Sequence, residues 1–254
     1  MRKKVLEWHK EPPIVFNRPH KVEELERVGL IEFHDVYDGW KSKRAIINFR
    51  KKYKYEFRND DTYRIVLQAL AQITSLNVLL AHNIFKPYII INSVSLDKPE
   101  TSQSVSAIIL DHIVVGYKNV FAIISKNYRK EVSNELPSDE EMYKQARIVK
   151  AAVLHRLSSC LDDPPQVQVI VSQCCSEDAY YNGRFDAQDP DIVIRRAQGI
   201  DTFIKAGGYK EKRVFNLGAK YKRPSIDQQG IVTCLIGQDL PEGWIDDPVP
   251  KRFE

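Results

Sequence analysis

Two histidines in this 254-residue sequence stand beside carboxylates, a pairing that both acid–base catalysis and metal binding use. His34 lies between Glu32 and Asp35, and His112 directly follows Asp111. An imidazole titrates near neutral pH, so a neighbouring carboxylate can make it a general base or orient it toward a metal ion. Pairs as short as these arise easily by chance, and we interpret both as structural.

Larger catalytic motifs are absent from the sequence. It contains no glycine-rich dinucleotide fingerprint, P-loop, nucleophile elbow or HExxH zinc helix. The nearest approach to a phosphate loop, AGGY at residues 206–209, follows a predicted helix, which is typical of a helix end. Asp162 and Asp163 precede two prolines and indicate a turn. We therefore predict no catalytic residue, metal site, cofactor or enzymatic activity. An enzyme whose site residues lie far apart in the sequence stays open as an alternative.

The four cysteines predict neither a disulfide framework nor a zinc site. None belongs to a CxxC pair, two are adjacent, and no histidine lies near them at ligand spacing. We expect reduced thiols, as in a cytoplasmic protein, at Cys160, Cys174, Cys175 and Cys234. The apolar stretches are too short to cross a membrane, and none follows the basic N-terminus as in a signal peptide.

Charge is unevenly distributed along the chain, although the net charge is only +4. Residues 41–58 contain eight basic residues and one acidic residue, residues 205–223 contain seven and one, and the tail from residue 239 is acidic. Patches of opposite sign can pair within one chain or between copies of it. The first patch also carries Tyr53, Tyr55 and Phe57, as proteins that bind single-stranded nucleic acid do. Because these aromatics alternate with charged residues, they share the inner face of a strand, which weakens the nucleic-acid interpretation.

The spacing of apolar residues switches several times between the period of a helix and that of a strand, and each switch marks the start of a new secondary-structure element. Helices are predicted over residues 21–28, 61–80, 138–160 and 191–206, and strands over 30–37, 44–49, 51–57, 87–96, 104–115, 119–125, 166–173, 213–217 and 230–237. In the helix at 61–80, the spacing places Arg64, Gln68 and Gln72 outward. Ser138 and Glu141 form a capping box at the start of the next helix.

Because the strands come in runs, the fold is predicted to be α+β, with an antiparallel β-sandwich body, packed helices and an extended N-terminal arm. The arm comprises residues 1–29, and residues 30–254 form a single domain. The arm is too apolar to remain free in water, so it packs either on its own body or on a neighbouring copy. Its candidate assembly contacts are Trp8, Ile14, Val15 and Phe16.

A series of short motifs lies between residues 29 and 70: VYDG at 36–39, AIIN at 45–48, YKY at 53–55 and TYRIVL at 62–67. In this series the segment resembles the polyhedrins of cypoviruses, proteins that crystallise around virions inside infected insect cells. The resemblance implies a β-sandwich body with a helical arm, trimeric building units and a crystal lattice in the host cytoplasm that dissolves in the alkaline larval midgut. Nucleotide binding in that family has no motif here to which it can be assigned.

The expected function is therefore that of a viral occlusion-body matrix protein. Its partners would be other copies of itself and virus particles, with no membrane and no nucleic acid. Tyrosine and lysine side chains titrate near pH 10, so alkaline release would ionise buried tyrosines. The candidates are Tyr53, Tyr55, Tyr180 and Tyr181. The alternative is an RNA-binding nucleocapsid-type protein whose basic segments contact phosphates.

Overall fold

The computed structural model describes residues 14–27, 61–81, 89–97, 107–116, 118–127, 138–174, 183–205 and 226–239, together with Arg44, Ile47, Asn48 and Lys51. An antiparallel meander lies at the centre of these residues. Its strands are β2 (Ile89–Leu96), β3 (Ile108–Val115) and β4 (Asn119–Lys126). They are rich in isoleucine and valine, whose branched side chains suit a pleated surface. These three strands confirm their predictions.

A long crossover extends the meander into a parallel sheet. α3 (Asp139–Ser158) begins at Ser138, whose side chain accepts a hydrogen bond from Glu141 N while the Glu141 carboxylate accepts one from Ser138 N, so the capping box is confirmed. The helix returns the chain to β5 (Gln166–Gln173), which pairs parallel to β4, because parallel neighbours require such a crossover. β7 (Ile192–Arg196) then pairs parallel to β5.

Short strands form both edges of the sheet. β1 (Ile14–Phe16) pairs parallel to β2, and β6 (Arg184–Phe185) pairs antiparallel to β7. The strand order is β1-β2-β3-β4-β5-β7-β6, and all the described strands belong to this one sheet. The α+β class is therefore confirmed. The predicted antiparallel β-sandwich is not confirmed, because the described strands form one sheet that contains parallel as well as antiparallel pairs.

Helices cover both faces of this sheet. α3 and α5 (Gln228–Ile236) pack over one apolar cluster. α1 (His20–Arg27), α2 (Asp61–Ala81) and α4 (Ile200–Lys205), which follows a 3-10 turn at Ala197–Gly199, cover the opposite face over a second cluster. No helix in the described ranges is long and apolar enough to cross a membrane.

Two elements near the C-terminus differ from their predictions. Residues 230–237 were expected to form a strand, but α5 occupies them: Asp227 caps its start by accepting a hydrogen bond from Gly230 N, and Gly237 ends it with a φ of 64°. Residues 191–206 were expected to form a helix, but β7 occupies the first of them because three β-branched residues are buried there between two helical layers. Short apolar runs carry no period that separates a buried strand from a buried helix.

The strands predicted over residues 30–37, 44–49, 51–57 and 213–217 lie almost wholly outside the described residues. Arg44, Ile47, Asn48 and Lys51 are described, and all four are helical, so the strand prediction is wrong at these positions. Ile47 packs against the apolar cluster on the α2 face of the sheet. The reason is tertiary packing, which overrides the β-propensity of a short isoleucine-rich run.

Candidate functional site

Residues 14–27, here called the N-terminal segment, dock on one edge of the sheet and on α2. β1 pairs with β2 in the register Ile14 to Ile89 and Phe16 to Ile91. α1 places Val22 and Leu25, both fully buried, in the apolar cluster over which α2 packs. Burying two such side chains stabilises the docked position by about 3 kcal/mol or more. The docked segment covers a group of buried polar residues.

We call this group the polar seat and define it as Gln72, Asn92, Asp111 and His112. All four side chains are buried, three of them with no exposed surface. Polar groups in such positions cost free energy unless they are hydrogen-bonded. The seat lies where the N-terminal segment, α2 and β3 meet, and its hydrogen bonds link all three.

Gln72 of α2 is the centre of the seat. Its Oε1 accepts a hydrogen bond from Lys21 N at 3.1 Å. Its Nε2 donates to Asp111 Oδ1 at 2.6 Å and lies 3.0 Å from His20 Nδ1. The Gln72 amide therefore contacts the main chain and a side chain of α1, and it also donates a hydrogen bond to a carboxyl group of β3.

Asn92 of β2 makes the second link to the segment. Its Nδ2 donates to Asn17 O at 2.9 Å and to Phe16 O at 3.3 Å, and Asn17 Nδ2 donates to Asn92 O at 3.2 Å. Asn92 Oδ1 lies 2.7 Å from His112 Nδ1, and His112 Nε2 lies 3.1 Å from Gln72 O. The chain turns away from β1 at Asn17, which has a φ of 59°. The buried Asn92 amide stabilises this turn through its hydrogen bonds to Phe16 O and Asn17 O.

Both histidines of this region are neutral near pH 7. Burial lowers the pKa of His112 to about 3, with the hydrogen bond to Gln72 O opposing the shift. Burial, with a smaller effect of the Lys21 charge in the same direction, lowers the pKa of His20 to about 4. A neutral imidazole has one N–H, so His112 donates to only one of its two acceptors.

The Asp111 side chain bonds to β4 beyond the point where the backbone ladder between β3 and β4 ends. The ladder between these strands ends at the pair His112 and Ile123, and beyond it Asp111 Oδ2 accepts a hydrogen bond from Ser125 N at 2.6 Å. Burial raises the pKa of Asp111, against the effect of its hydrogen bonds from Ser125 and Gln72. Lys126 lies close enough for its charge to act on Asp111, and burial lowers the pKa of this lysine. A carboxyl and an amine shifted toward their neutral forms are the groups that proton transfer uses.

Beside the seat, hydroxyl groups join α2 to the parallel strands. Ser75 Oγ lies 2.9 Å from both Ser125 Oγ and Ser172 Oγ, and 3.4 Å from Cys174 Sγ. Cys174 is buried within this cluster. These small groups satisfy one another, which makes the cluster a structural connection between helix and sheet.

The carboxyl ends of β4 and β5 carry polar groups that the seat does not use. Lys126 and Gln173 are partners across the two strands. The Oε1 atom of Gln173 and the Oδ1 atom of Asn127 are buried, and neither has a hydrogen-bond partner in the structure. In open sheets with parallel strands, the carboxyl ends are the usual place for ligands.

The structure describes some of the residues selected from the sequence. Val15 and Phe16 are half-buried, each against an apolar cluster of its own chain. The Asp111–His112 pair is part of the seat, where Asp111 bonds to the Gln72 side chain and His112 lies beside the Gln72 carbonyl. Asp162 and Asp163 lie in an exposed turn, as predicted. Trp8, His34, Tyr53, Tyr55, Tyr180 and Tyr181 lie outside the described residues.

Sequence reasoning missed Gln72 and Asn92. Gln72 was placed outward, but it is fully buried because both α1, through Lys21 N, and β3, through Asp111, bond to its amide. The available signal was a polar amide within an apolar run, in LAQITSL for Gln72 and IIINSV for Asn92. Among the described residues, no three His, Cys, Asp or Glu side chains lie together in a way that could hold a metal ion.

No protein-family model matches the chain, and no curated protein matches it.

Proposed function

We propose that the chain is a structural protein that assembles with copies of itself, as the matrix protein of a viral occlusion body does. The observation that carries the proposal is the docking of the N-terminal segment on the polar seat. The resemblance of residues 29–70 to polyhedrins supplies the occlusion-body part of the proposal, including trimeric units, a cytoplasmic lattice and embedded virus particles.

The N-terminal segment is joined to α2 by a long stretch of chain. Residues 28–43 separate Arg27 from Arg44, the next described residue, and Ile47 soon after it packs against the body of the chain. These 16 residues span up to about 55 Å when fully extended. The segment can therefore reach the seat of its own chain or that of a neighbouring copy without any change in its docked contacts.

The polar seat favours exchange over simple release. Without the segment, Gln72 and Asn92 lose their partners on Lys21, Phe16 and Asn17. Each buried polar group left without a partner costs about 1–3 kcal/mol. The identical segment of a second copy restores every one of these bonds, so exchange between copies costs little, and it builds an assembly.

Asp111 links this assembly to pH. Its folded pKa is raised by burial above the unfolded value. The folded state then holds a proton that the unfolded state has already released, so this contribution to stability is complete at low pH and is lost as pH rises through the folded pKa. The seat therefore weakens with rising pH, the direction in which the proposed lattice dissolves. Ionisation of Tyr53, Tyr55, Tyr180 and Tyr181 stays a prediction.

Light microscopy of insect cells that express the chain tests the proposal. We expect micrometre-sized crystals in the cytoplasm. Deletion of residues 1–20, which removes β1, should abolish the crystals, while deletion of residues 1–7 should preserve them because Trp8 and β1 remain. Full-length protein that stays soluble and monomeric at high expression would contradict the proposal.

RNA binding is a second candidate function, favoured by the carboxyl ends of the parallel strands. Lys126 ends β4, Arg196 ends β7, and Gln173 between them carries an unsatisfied Oε1. Lys126 and Arg196 could contact an RNA phosphate, while Gln173 Oε1 could accept a hydrogen bond from the neighbouring base. Fluorescence anisotropy with a single-stranded RNA tests this function: Lys126→Gln should weaken binding and reduce the salt slope by about 1. Lys144→Gln, on the exposed face of α3, is the matched control. Equal affinity for both variants would contradict RNA binding at this site.

A further inference from the structure

Two cysteines that are distant in sequence meet at the end of α3. Cys160 and Cys234 form a disulfide across 74 residues, with their Cα atoms 5.9 Å apart. This separation lies within the range that a disulfide spans without backbone movement. Their pairing overturns the sequence-based expectation of unpaired thiols. The reason is that residues 230–237 were assigned to a strand, which concealed the helix that brings Cys234 to α3.

The two sulfur atoms differ in their access to solvent. Cys160 is exposed in the turn after α3, whereas Cys234 is only 5 % exposed and faces the apolar cluster between α3 and the sheet. Ser159 Oγ lies 3.6 Å from Cys160 Sγ. Cys234 Sγ lies 3.2 Å from Arg156 O, and Arg156 Nε donates to Cys234 O at 3.0 Å. A dissolved thiol can therefore approach Cys160 and not Cys234.

The disulfide fastens α5 to the body of the protein. α5 buries Ile231, Val232 and Leu235 against the face of the sheet that α3 also covers. Gln228 Nε2 donates to Gly116 O at the opposite end of the helix. The helix is thus held at its start by a hydrogen bond, along its length by apolar contacts and near its end by the disulfide.

We propose that Cys160–Cys234 is a thiol-exchange site that takes low-molecular-weight thiols of the glutathione class, with Cys160 as the attacked sulfur and Cys234 as the resolving one. Opening loosens α5, and closing fastens it. This inference does not rest on the proposed function, because it concerns the opposite face of the sheet from the polar seat.

The exchange balances in two steps. A glutathione thiolate attacks Cys160 Sγ; the new sulfur–sulfur bond forms, the bond to Cys234 breaks, and Cys234 leaves as a thiolate that takes up a proton. A second glutathione thiolate attacks the glutathione sulfur of the mixed disulfide and releases Cys160. The products are the protein dithiol and one molecule of oxidised glutathione, and closing runs through the same intermediate in reverse.

The pKa values of the two thiols agree with these roles in the closing direction. In the opening direction the raised pKa of Cys234 makes it a slow leaving group, so solvent access is what selects Cys160 as the attacked sulfur. Hydrogen bonding from Cys234 and Ser159 lowers the pKa of Cys160, which makes it the readier thiolate in the reduced protein. Burial raises the pKa of Cys234 to about 12. A buried thiol with a raised pKa attacks slowly, so the mixed disulfide on Cys160 should persist long enough to be trapped.

Mass spectrometry of the alkylated, unreduced chain tests the assignment. After incubation of the reduced protein with oxidised glutathione, Cys234→Ser should retain one glutathione on Cys160, and Cys160→Ser should carry none on Cys234. Cys174→Ser is the control and should still close the Cys160–Cys234 bond. Glutathione on Cys234, or none on Cys160 in the Cys234→Ser variant, would overturn the proposal.

A thermal measurement separates exchange from a merely reactive surface thiol. Closing a 74-residue loop should raise the midpoint of thermal unfolding of the wild-type chain by roughly 10 °C between reduced and oxidised forms. The same midpoint should not differ between reduced and oxidised Cys160→Ser. An equal midpoint for both forms of the wild-type chain would show that the bond does not fasten α5.

Discussion

Replacing Gln72 with leucine tests the polar seat that the proposed assembly requires. Leucine keeps helix propensity and fills a similar volume, but it removes both hydrogen-bonding atoms of the amide. The variant loses the bond from Lys21 N, the bond to Asp111 Oδ1 and the contact with His20. Ser125 N remains as a donor to Asp111, so the carboxyl group keeps part of its support.

The expected cost follows from these contacts. A hydrogen bond to a group such as the Asp111 carboxyl contributes about 1.5–3 kcal/mol, and the buried Lys21 N left without an acceptor costs about 1–3 kcal/mol. The extra apolar surface of leucine offsets about 1 kcal/mol of this loss. We therefore expect Gln72→Leu to lower the free energy of unfolding by about 3 kcal/mol, which corresponds to a fall of roughly 9 °C in the unfolding midpoint for a chain of this length.

Urea denaturation followed by circular dichroism measures this change. Gln145→Leu is the matched control, because it replaces the same residue type with leucine on the exposed face of α3. The control should change stability by less than about 0.5 kcal/mol. Limited proteolysis should also cut the N-terminal segment of Gln72→Leu sooner than that of the control. If both variants unfold at the same urea concentration, the seat does not hold the segment.

Three further results are expected. Leu25→Ala should lower the free energy of unfolding by about 3 kcal/mol, measured by urea denaturation, because this fully buried leucine anchors α1; a loss below 1 kcal/mol would contradict its docked position. Lowering the pH from 6.5 to 4 should cost about 3 kcal/mol through His112 alone, because the unfolded state binds a proton that the folded imidazole excludes down to about pH 3; His112→Asn should reduce this loss. Gly237→Ala should cost about 1 kcal/mol, measured by thermal unfolding, because its φ of 64° is left-handed; an unchanged midpoint would argue against this helix end.

Local sequence signals were sufficient for the elements whose hydrophobic period persists over many residues or whose start carries a distinct cap. The capping box at Ser138 and Glu141 located α3, and the alternation of residues 166–173 located β5 with the observed bounds. Both patterns persist over many residues, so chance alternatives are few. The short runs at β7 and α5 were misassigned, because only their burial between other elements decides between strand and helix.

The candidate site depends on contacts that no local pattern contains. Helical spacing predicts Gln72 on the outer face of α2, but the side chain is buried where α1, about fifty residues away in sequence, and Asp111 of β3 both bond to it. The pairing of Cys160 with Cys234 likewise requires two helix ends that tertiary packing brings together. Such sites are determined by the docking of whole elements, and a single sequence shows them only as polar residues in apolar surroundings.

Exchange of the N-terminal segment between copies is tested most directly by cross-linking across the β1–β2 pair. Phe16 and Ile91 are partners in that pair, so cysteines at both positions of one chain should link within the chain and serve as the control for geometry. Two preparations, one with Phe16→Cys and one with Ile91→Cys, are mixed, dissolved at alkaline pH, returned to neutral pH and oxidised. We expect a covalent dimer of the two different chains on a non-reducing gel. Efficient linking in the double variant without any dimer in the mixture would show that the segment stays on its own chain.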